Sequence, residues 1–169
     1  MRRFFAVFIF ACLFFSMGAS ASEKKPVEFL FVIDSAQGKL THVTGKKFKL
    51  SLPVKDIKSV LAFSDRPHRQ NFRLSQTDYA KLVYAGKNSF RDNPPNIAVV
   101  WADKNIHSEV YILAGYHKVG GHIVYDLTWQ KPSAPIKAIK GRQGGVALFI
   151  DPLEINELEI CMDASQKPT

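Results

Sequence analysis

"LTHVTGKKFKLSL", Leu40 to Leu52, reads as a β-hairpin. Phe48, Leu50 and Leu52 alternate with Lys49 and Ser51, the period-two pattern of a strand with one buried face. Gly45-Lys46 supplies the turn, and Pro53 stops the returning strand because proline has no N–H for a ladder. The same alternation extends in both directions. Upstream, Val27 to Ile33 is an apolar strand followed by a turn at Ser35 to Gly38. Downstream, Lys58 to Phe63 is a further buried run. Ile97, Val99 and Trp101 alternate with Ala98 and Val100, a strand buried on both sides.

The rest of the chain continues this rhythm. After a turn at Asp103-Lys104-Asn105, Ile106 to Ala114 is expected to point Val110 and Ile112 at the core, with His107, Glu109 and Tyr111 on the other face. A hairpin spans Lys118 to Gly121, and Ile123, Tyr125, Leu127 and Trp129 line one side of the return. Pro132 to Pro135 is a connector, Val146 to Ile150 a core strand, and Leu158 to Met162 a final one. About seven to nine short strands at regular turn spacing predict a mainly β fold, a β-sandwich, with a closed β-barrel as the alternative. One helix interrupts the strands. Ser75-x-x-Asp78 resembles a capping box, Tyr79, Leu82 and Val83 form an apolar stripe, and Gly86 is placed to end the helix. So short a helix is not stable alone in water and must pack on the sheet.

The N-terminus predicts the compartment. Met1-Arg2-Arg3 is a basic head, Phe4 to Met17 an apolar run, and Ala19-Ser20-Ala21 a small-x-small cleavage pattern. Residues 1–21 are therefore read as a signal peptide and 22–169 as a single β-sandwich-like domain, periplasmic or secreted, with no stable membrane insertion after cleavage. Removing Arg2 and Arg3 lowers the formal charge from +8 to +6. That charge is scattered along the chain, so it does not point to nucleic acid. Cleavage leaves Cys161 as the one cysteine, which excludes an internal disulfide and leaves a disulfide-linked dimer as one use for the thiol.

No sequence signature of a serine nucleophile elbow, a zinc-protease helix, a Cys-x-x-Cys pair or a dinucleotide loop is present. The densest polar constellation flanks the helix. Phe63-Ser64-Asp65-Arg66-Pro67-His68-Arg69 ends one strand, and Asp92-Asn93-Pro94-Pro95-Asn96 begins the next. If the helix folds back, the two corners lie at one end of the molecule. Asp65, Arg66, Arg69, Asp92 and Asn96 are then a ligand-binding set, with carboxylates as acceptors and arginines able to clasp an anion bidentately. The alternative is a structural bracket in which an arginine pairs with Asp65 or Asp92.

This motif pair resembles that of a family of uncharacterised, mostly bacterial exported proteins sharing an "FSDRPxR … DxxPPN" core, over roughly Phe29 to Tyr125. In that pattern alanine usually follows the final asparagine, whereas Ile97 stands here. The resemblance implies export and one compact domain, and no particular activity.

Histidines offer a second constellation. A four-residue loop would place His117 opposite His122, close enough to share zinc or copper, and in the first constellation His68 is a nitrogen donor that could hold a metal ion with Asp65 and Asp92. Tyr111, Tyr116, Trp101 and Trp129 could stack on sugars, although their strand spacing also suits a core. The function expected from these features is that of a non-catalytic exported binding protein whose ligand is a metal ion, a small anion or a partner protein of the envelope. The alternative is a hydrolase of cell-envelope polymers using acidic residues or His68 as acid and base.

Overall fold

The computed structural model describes residues 27–85, 89–102, 107–130 and 141–155. The segments read from the sequence as a signal peptide, a helix-ending Gly86, a turn at 103–105, a connector at 132–135 and a strand at 158–162 with Cys161 lie outside the described residues. Eight antiparallel strands and one helix follow in the order β1 (Val27–Thr44), β2 (Lys47–Pro53), β3 (Val60–Ser64), β4 (Asn71–Leu74), α1 (Gln76–Ala85), β5 (Asn96–Trp101), β6 (His107–Val119), β7 (His122–Trp129) and β8 (Gln143–Ile155). The protein is mostly β, with the strand number and single helix that the alternation predicts. β4 had no period-two signal strong enough to announce it.

All eight strands belong to one sheet, in the order β2-β7-β6-β5-β8-β1-β3-β4, and β2 also pairs with β1. Six strands therefore close a ring of ladders, and β3 and β4 extend it from the first half of β1. The opposing layers that pack around the core are two sides of one curled sheet. Its inner face carries Phe29, Phe31, Ile33 and Leu40 of β1, Phe48, Leu50 and Leu52 of β2, and Ile97, Val99 and Trp101 of β5. Tyr111 and Leu113 of β6, Ile123, Tyr125, Leu127 and Trp129 of β7, and Val146, Leu148 and Ile150 of β8 continue it.

Irregularities in the long strands make this curl. In β1, Val27 through Ser35 are buried at odd positions, and after Ala36 and Gln37 burial resumes at the even positions Gly38 and Leu40. The expected turn at Ser35 to Gly38 is thus a bulge inside one continuous 18-residue strand. One inserted residue bends and twists the strand while restoring its inward face. The Ser35 hydroxyl holds the bulge by donating to the Gln37 carbonyl at 2.7 Å. β8 shifts register beside Asp151-Pro152, and β6 shifts between Leu113 and Gly115.

β6 corrects one expected orientation. Glu109, Tyr111 and Leu113 point inward, while Val110 is exposed and Ile112 half-buried. Large rings decide the facing: Tyr111 packs between Phe48 and Trp129, with centroids at 5.8 and 6.3 Å. The inward Glu109 accepts the Trp129 indole N–H at 3.1 Å, so its carboxylate is hydrogen-bonded inside the ring.

The helix begins as its sequence predicts. Ser75 Oγ accepts the Asp78 N–H at 3.1 Å and donates to the Asp78 carboxylate at 2.6 Å. Gln76 anchors the first turn by donating to the carbonyls of Val54 and Ile57 at 3.0 and 2.8 Å. Tyr79 and Val83 are fully buried. The Tyr79 ring packs edge-on to Phe31 of β1 at 5.3 Å and reaches Tyr116 of β6 at 6.2 Å. β1 and β6 lie on opposite sides of the six-strand ring, so this side chain enters the core that the ring encloses.

Gly38 is where backbone approach is tightest. A Cβ there would lie 2.6 Å from Val146 Cγ1 and 3.1 Å from Leu52 Cδ2. Gly38→Ala should therefore lower stability in urea by about 1 to 3 kcal/mol through overpacking. Gly120 (φ +53°), where a Cβ meets nothing within 4 Å, is the control. Gly120→Ala should cost only the left-handed backbone penalty, about 1 kcal/mol. Equal unfolding midpoints for wild type and Gly38→Ala would contradict the packed bulge.

Candidate functional site

Register places both motif corners at one end of the sheet. Ser64 pairs with Phe29, which pairs with Leu153. Asn96 opens β5, and its neighbour Ile97 pairs with Ile150, which pairs with Phe31. β1 and β8 lie between the corners, so three strand spacings, about 14 Å, separate them.

On the first corner, Asp65, Arg66, Pro67, His68 and Arg69 are all exposed. Asp65 organises the turn. Its Oδ1 accepts the Arg66 N–H at 2.7 Å, and its carbonyl accepts the N–H groups of His68 and Arg69 at 3.1 and 3.2 Å. Ser64 closes the base: its N–H donates to the Gln70 carbonyl and its hydroxyl accepts the Gln70 N–H, both at 2.9 Å. Arg69 takes a left-handed φ of +49° to complete the turn. Among the described residues no ion pair joins Arg66 or Arg69 to Asp65 or Asp92. The turn is braced by backbone groups on Asp65, and both guanidiniums face solvent.

On the second corner, Ser89 accepts with its carbonyl the N–H groups of Asp92 and Asn93 at 3.0 and 3.1 Å, and donates its hydroxyl to Asp92 Oδ2 at 3.1 Å. The Phe90 N–H donates to Val83 of α1 at 2.7 Å, and the Pro95 carbonyl accepts the Leu113 N–H at 2.9 Å. The proline-stiffened loop is thereby pinned to both helix and sheet. Asn96 forms a side-chain chain: Gln130 donates to its Oδ1 at 2.8 Å, and its Nδ2 donates to Asp151 Oδ2 at 2.7 Å.

Asp92, Asn96 and Asp151 line a groove of about 570 Å³ together with Glu28, Phe90, Pro94, Pro95 and Pro152. Asp92 and Asn96 from the predicted set meet here, whereas Asp65, Arg66 and Arg69 stand on the neighbouring turn. Asp151 and Glu28 were missed by sequence reasoning. A signal for Asp151 existed in the proline that follows it, since proline inside a strand marks a bulge or edge. A second groove, about 550 Å³, lies further along β1 between Asp34, Asp56, Lys58 and Arg73 on one side and Val100 and Trp101 on the other. No motif announced it, because its residues come from five separate segments.

The histidines are placed differently from the expectation. Gly120 and Gly121, with φ of +53° and +75°, make a two-residue turn that pairs His122 with Val119 and His117 with Val124. His117 Nδ1 lies 3.4 Å from Asp126 Oδ2, His122 Nδ1 is 3.1 Å from the Gly120 carbonyl, and His68 is on the distant β3–β4 turn. Among the described residues, no group of three or more His, Cys, Asp or Glu side chains is placed to hold a metal ion. Trp101, Trp129 and Tyr111 are core residues and Tyr116 is half-buried. No described helix is long and apolar enough to cross a membrane. No family model matches this chain, and comparisons with curated proteins and with solved structures return no match.

Burial raises all five phenol pKa values, those of Tyr79, Tyr84, Tyr111, Tyr116 and Tyr125. Nearby phenols reinforce the effect at Tyr79, Tyr84 and Tyr125, and Glu109 does so at Tyr111. The folded protein thus holds these protons more tightly than the unfolded chain, whose phenols ionise near pH 10. Stability should be unaffected by these groups below about pH 10 and fall above it. An alkaline titration followed by tyrosinate absorbance should show little ionisation until the protein unfolds, then a single cooperative step. Smooth ionisation centred near pH 10 in still-folded protein would show that the phenols are not buried as described.

Proposed function

We propose that the protein is a non-catalytic binding protein, exported to the periplasm or the medium, whose ligand is an extended segment of a partner polypeptide lying across one end of the sheet. The basic and apolar N-terminus supports the export part of this reading, as does the resemblance of the motif pair to exported proteins. One observation carries the binding part. An acceptor-rich groove with Asp92, Asn96 and Asp151 lies at the same sheet end as a turn presenting Arg66 and Arg69.

The chemistry of that end is bipolar. Carboxylates in the groove favour a lysine or arginine side chain, and Phe90 with the prolines gives an apolar wall for its methylene stem. The free guanidiniums favour a carboxylate on the same ligand. About 14 Å of sheet lies between the strands that carry the two, which an extended chain covers in roughly four residues. Three carboxylates around the groove disfavour a small anion there.

Calorimetric titration with synthetic peptides tests the reading. A peptide with lysine and glutamate four positions apart should bind, and binding should weaken as salt rises. Asp92→Asn and the pair Arg66→Ala with Arg69→Ala should each reduce affinity about tenfold, or about 1.4 kcal/mol. Equal binding of peptides with both charges removed, or full affinity in these surface variants, would overturn it.

A further inference from the structure

The tyrosines under α1 form a cluster that the peptide reading does not use. Tyr116 of β6 is its hub, with ring centroids 6.2 Å from Tyr79, 5.2 Å from Tyr84 and 5.4 Å from Tyr125. Tyr79 and Tyr84 come from α1, while Tyr125 projects inward from β7. Tyr79 and Tyr125 are essentially inaccessible, at 1% and 0% exposure. The hydroxyls of Tyr79, Tyr84 and Tyr125 are all buried, and none has a hydrogen-bond partner among the described residues. Burying a hydroxyl without a partner is costly, and buried phenols are ordinarily hydrogen-bonded. Three such groups around one ring are more than packing alone accounts for.

The phenols are close enough to raise one another's pKa, yet no hydrogen bond joins them. A bridging atom between them would satisfy several at once, which is how buried water is held, with two to four polar partners. A neutral guest is favoured, because an ion buried among un-ionised phenols would lack a counter-charge. The phenols keep their protons, and the Asp126 carboxylate acts on Tyr84 from the strand that carries Tyr125, which disfavours an anion. Half-buried Tyr116 and the Asp126 side chain, which contacts Lys49 and His117, lie on the solvent side of the cluster.

We infer that the buried hydroxyls of Tyr79, Tyr84 and Tyr125 beneath α1 form a binding site for a small neutral molecule bearing a hydrogen-bonding oxygen, with water the smallest such guest. The hydroxyls serve as donors to that oxygen and as acceptors of its protons. α1 supplies two of the three, so the guest ties the helix to the ring.

Tyrosine-to-phenylalanine exchange gives a test by sign. Removing a hydroxyl that holds a guest leaves that guest short of a partner and lowers stability, whereas removing an unpaired buried hydroxyl raises it. Tyr79→Phe and Tyr125→Phe should each lower the thermal midpoint by a few degrees. Magnetic relaxation dispersion of water in the wild type should report a long-lived internal molecule that is lost in the double variant. If the guest is a solute instead, native mass spectrometry should show a small mass excess that disappears on denaturation. Raised midpoints in both variants would overturn the inference. If the variants fail to fold, the wild-type measurements decide. Cross-relaxation from water, or a bound mass, at Tyr79 and Tyr125 supports the site, and the absence of both overturns it.

Discussion

β1 exchanges one neighbour for another along its length, and the rest of the architecture depends on that. β8 pairs with it from Val27 to Lys39, β3 pairs with Phe29 to Val32, and β2 takes over from Lys39 to Thr44. A straight strand could not exchange one neighbour for another while keeping its apolar side inward. The bulge at Ala36-Gln37 bends the strand and switches burial from odd to even positions, so that Phe31 and Leu40 serve the same core. Gly38 follows because the bent backbone passes within van der Waals contact of Val146 and Leu52. Among the described residues, closing the ring leaves β4 as the sheet's free edge, which limits the edge surface available for unwanted pairing.

The same bends create the end of the sheet that carries the candidate site. Where β8 shifts register against β1, Asp151 swings to meet Asn96 at the start of β5, and Gln130 after β7 completes the chain of hydrogen bonds. The helix connection contributes indirectly: Phe90 fixes the Pro94-Pro95 loop to α1, and α1 is fixed by Tyr79 in the core. A rigid acceptor groove and an exposed basic turn thus sit on strands that cannot slide, because each is paired on both sides except at β4. Preorganisation of this kind spares a ligand the cost of ordering its site.

Much of the fold could be read from the chain. The hairpin around Gly45, the strands of Phe48 to Leu52 and Ile123 to Trp129, and the Ser75 cap all follow from local rules that tertiary contacts did not override. What the chain concealed was non-local. Ser35 to Gly38 has turn chemistry, and only its pairing with Val146 and Gly144 makes it a bulge. Val110 and Ile112 looked like the core side of β6, but the packing of Tyr111 on Phe48 and Trp129 turned that face outward and drew Glu109 in. The site was half legible for the same reason. Asp92 and Asn96 belong to a conspicuous motif, whereas their partner Asp151 is 55 positions beyond Asn96 and reaches it only through strand order.

Residue-resolved amide hydrogen exchange tests ring closure most directly. In a closed ring β2 has neighbours on both sides, so consecutive amides from Phe48 to Leu52 should all exchange slowly, while β4, paired on one side, should show slow exchange only at alternate positions. Every second amide of β2 exchanging at the rate of exposed backbone would mean that β1 and β2 do not meet, and the account of the sheet as a ring would be wrong.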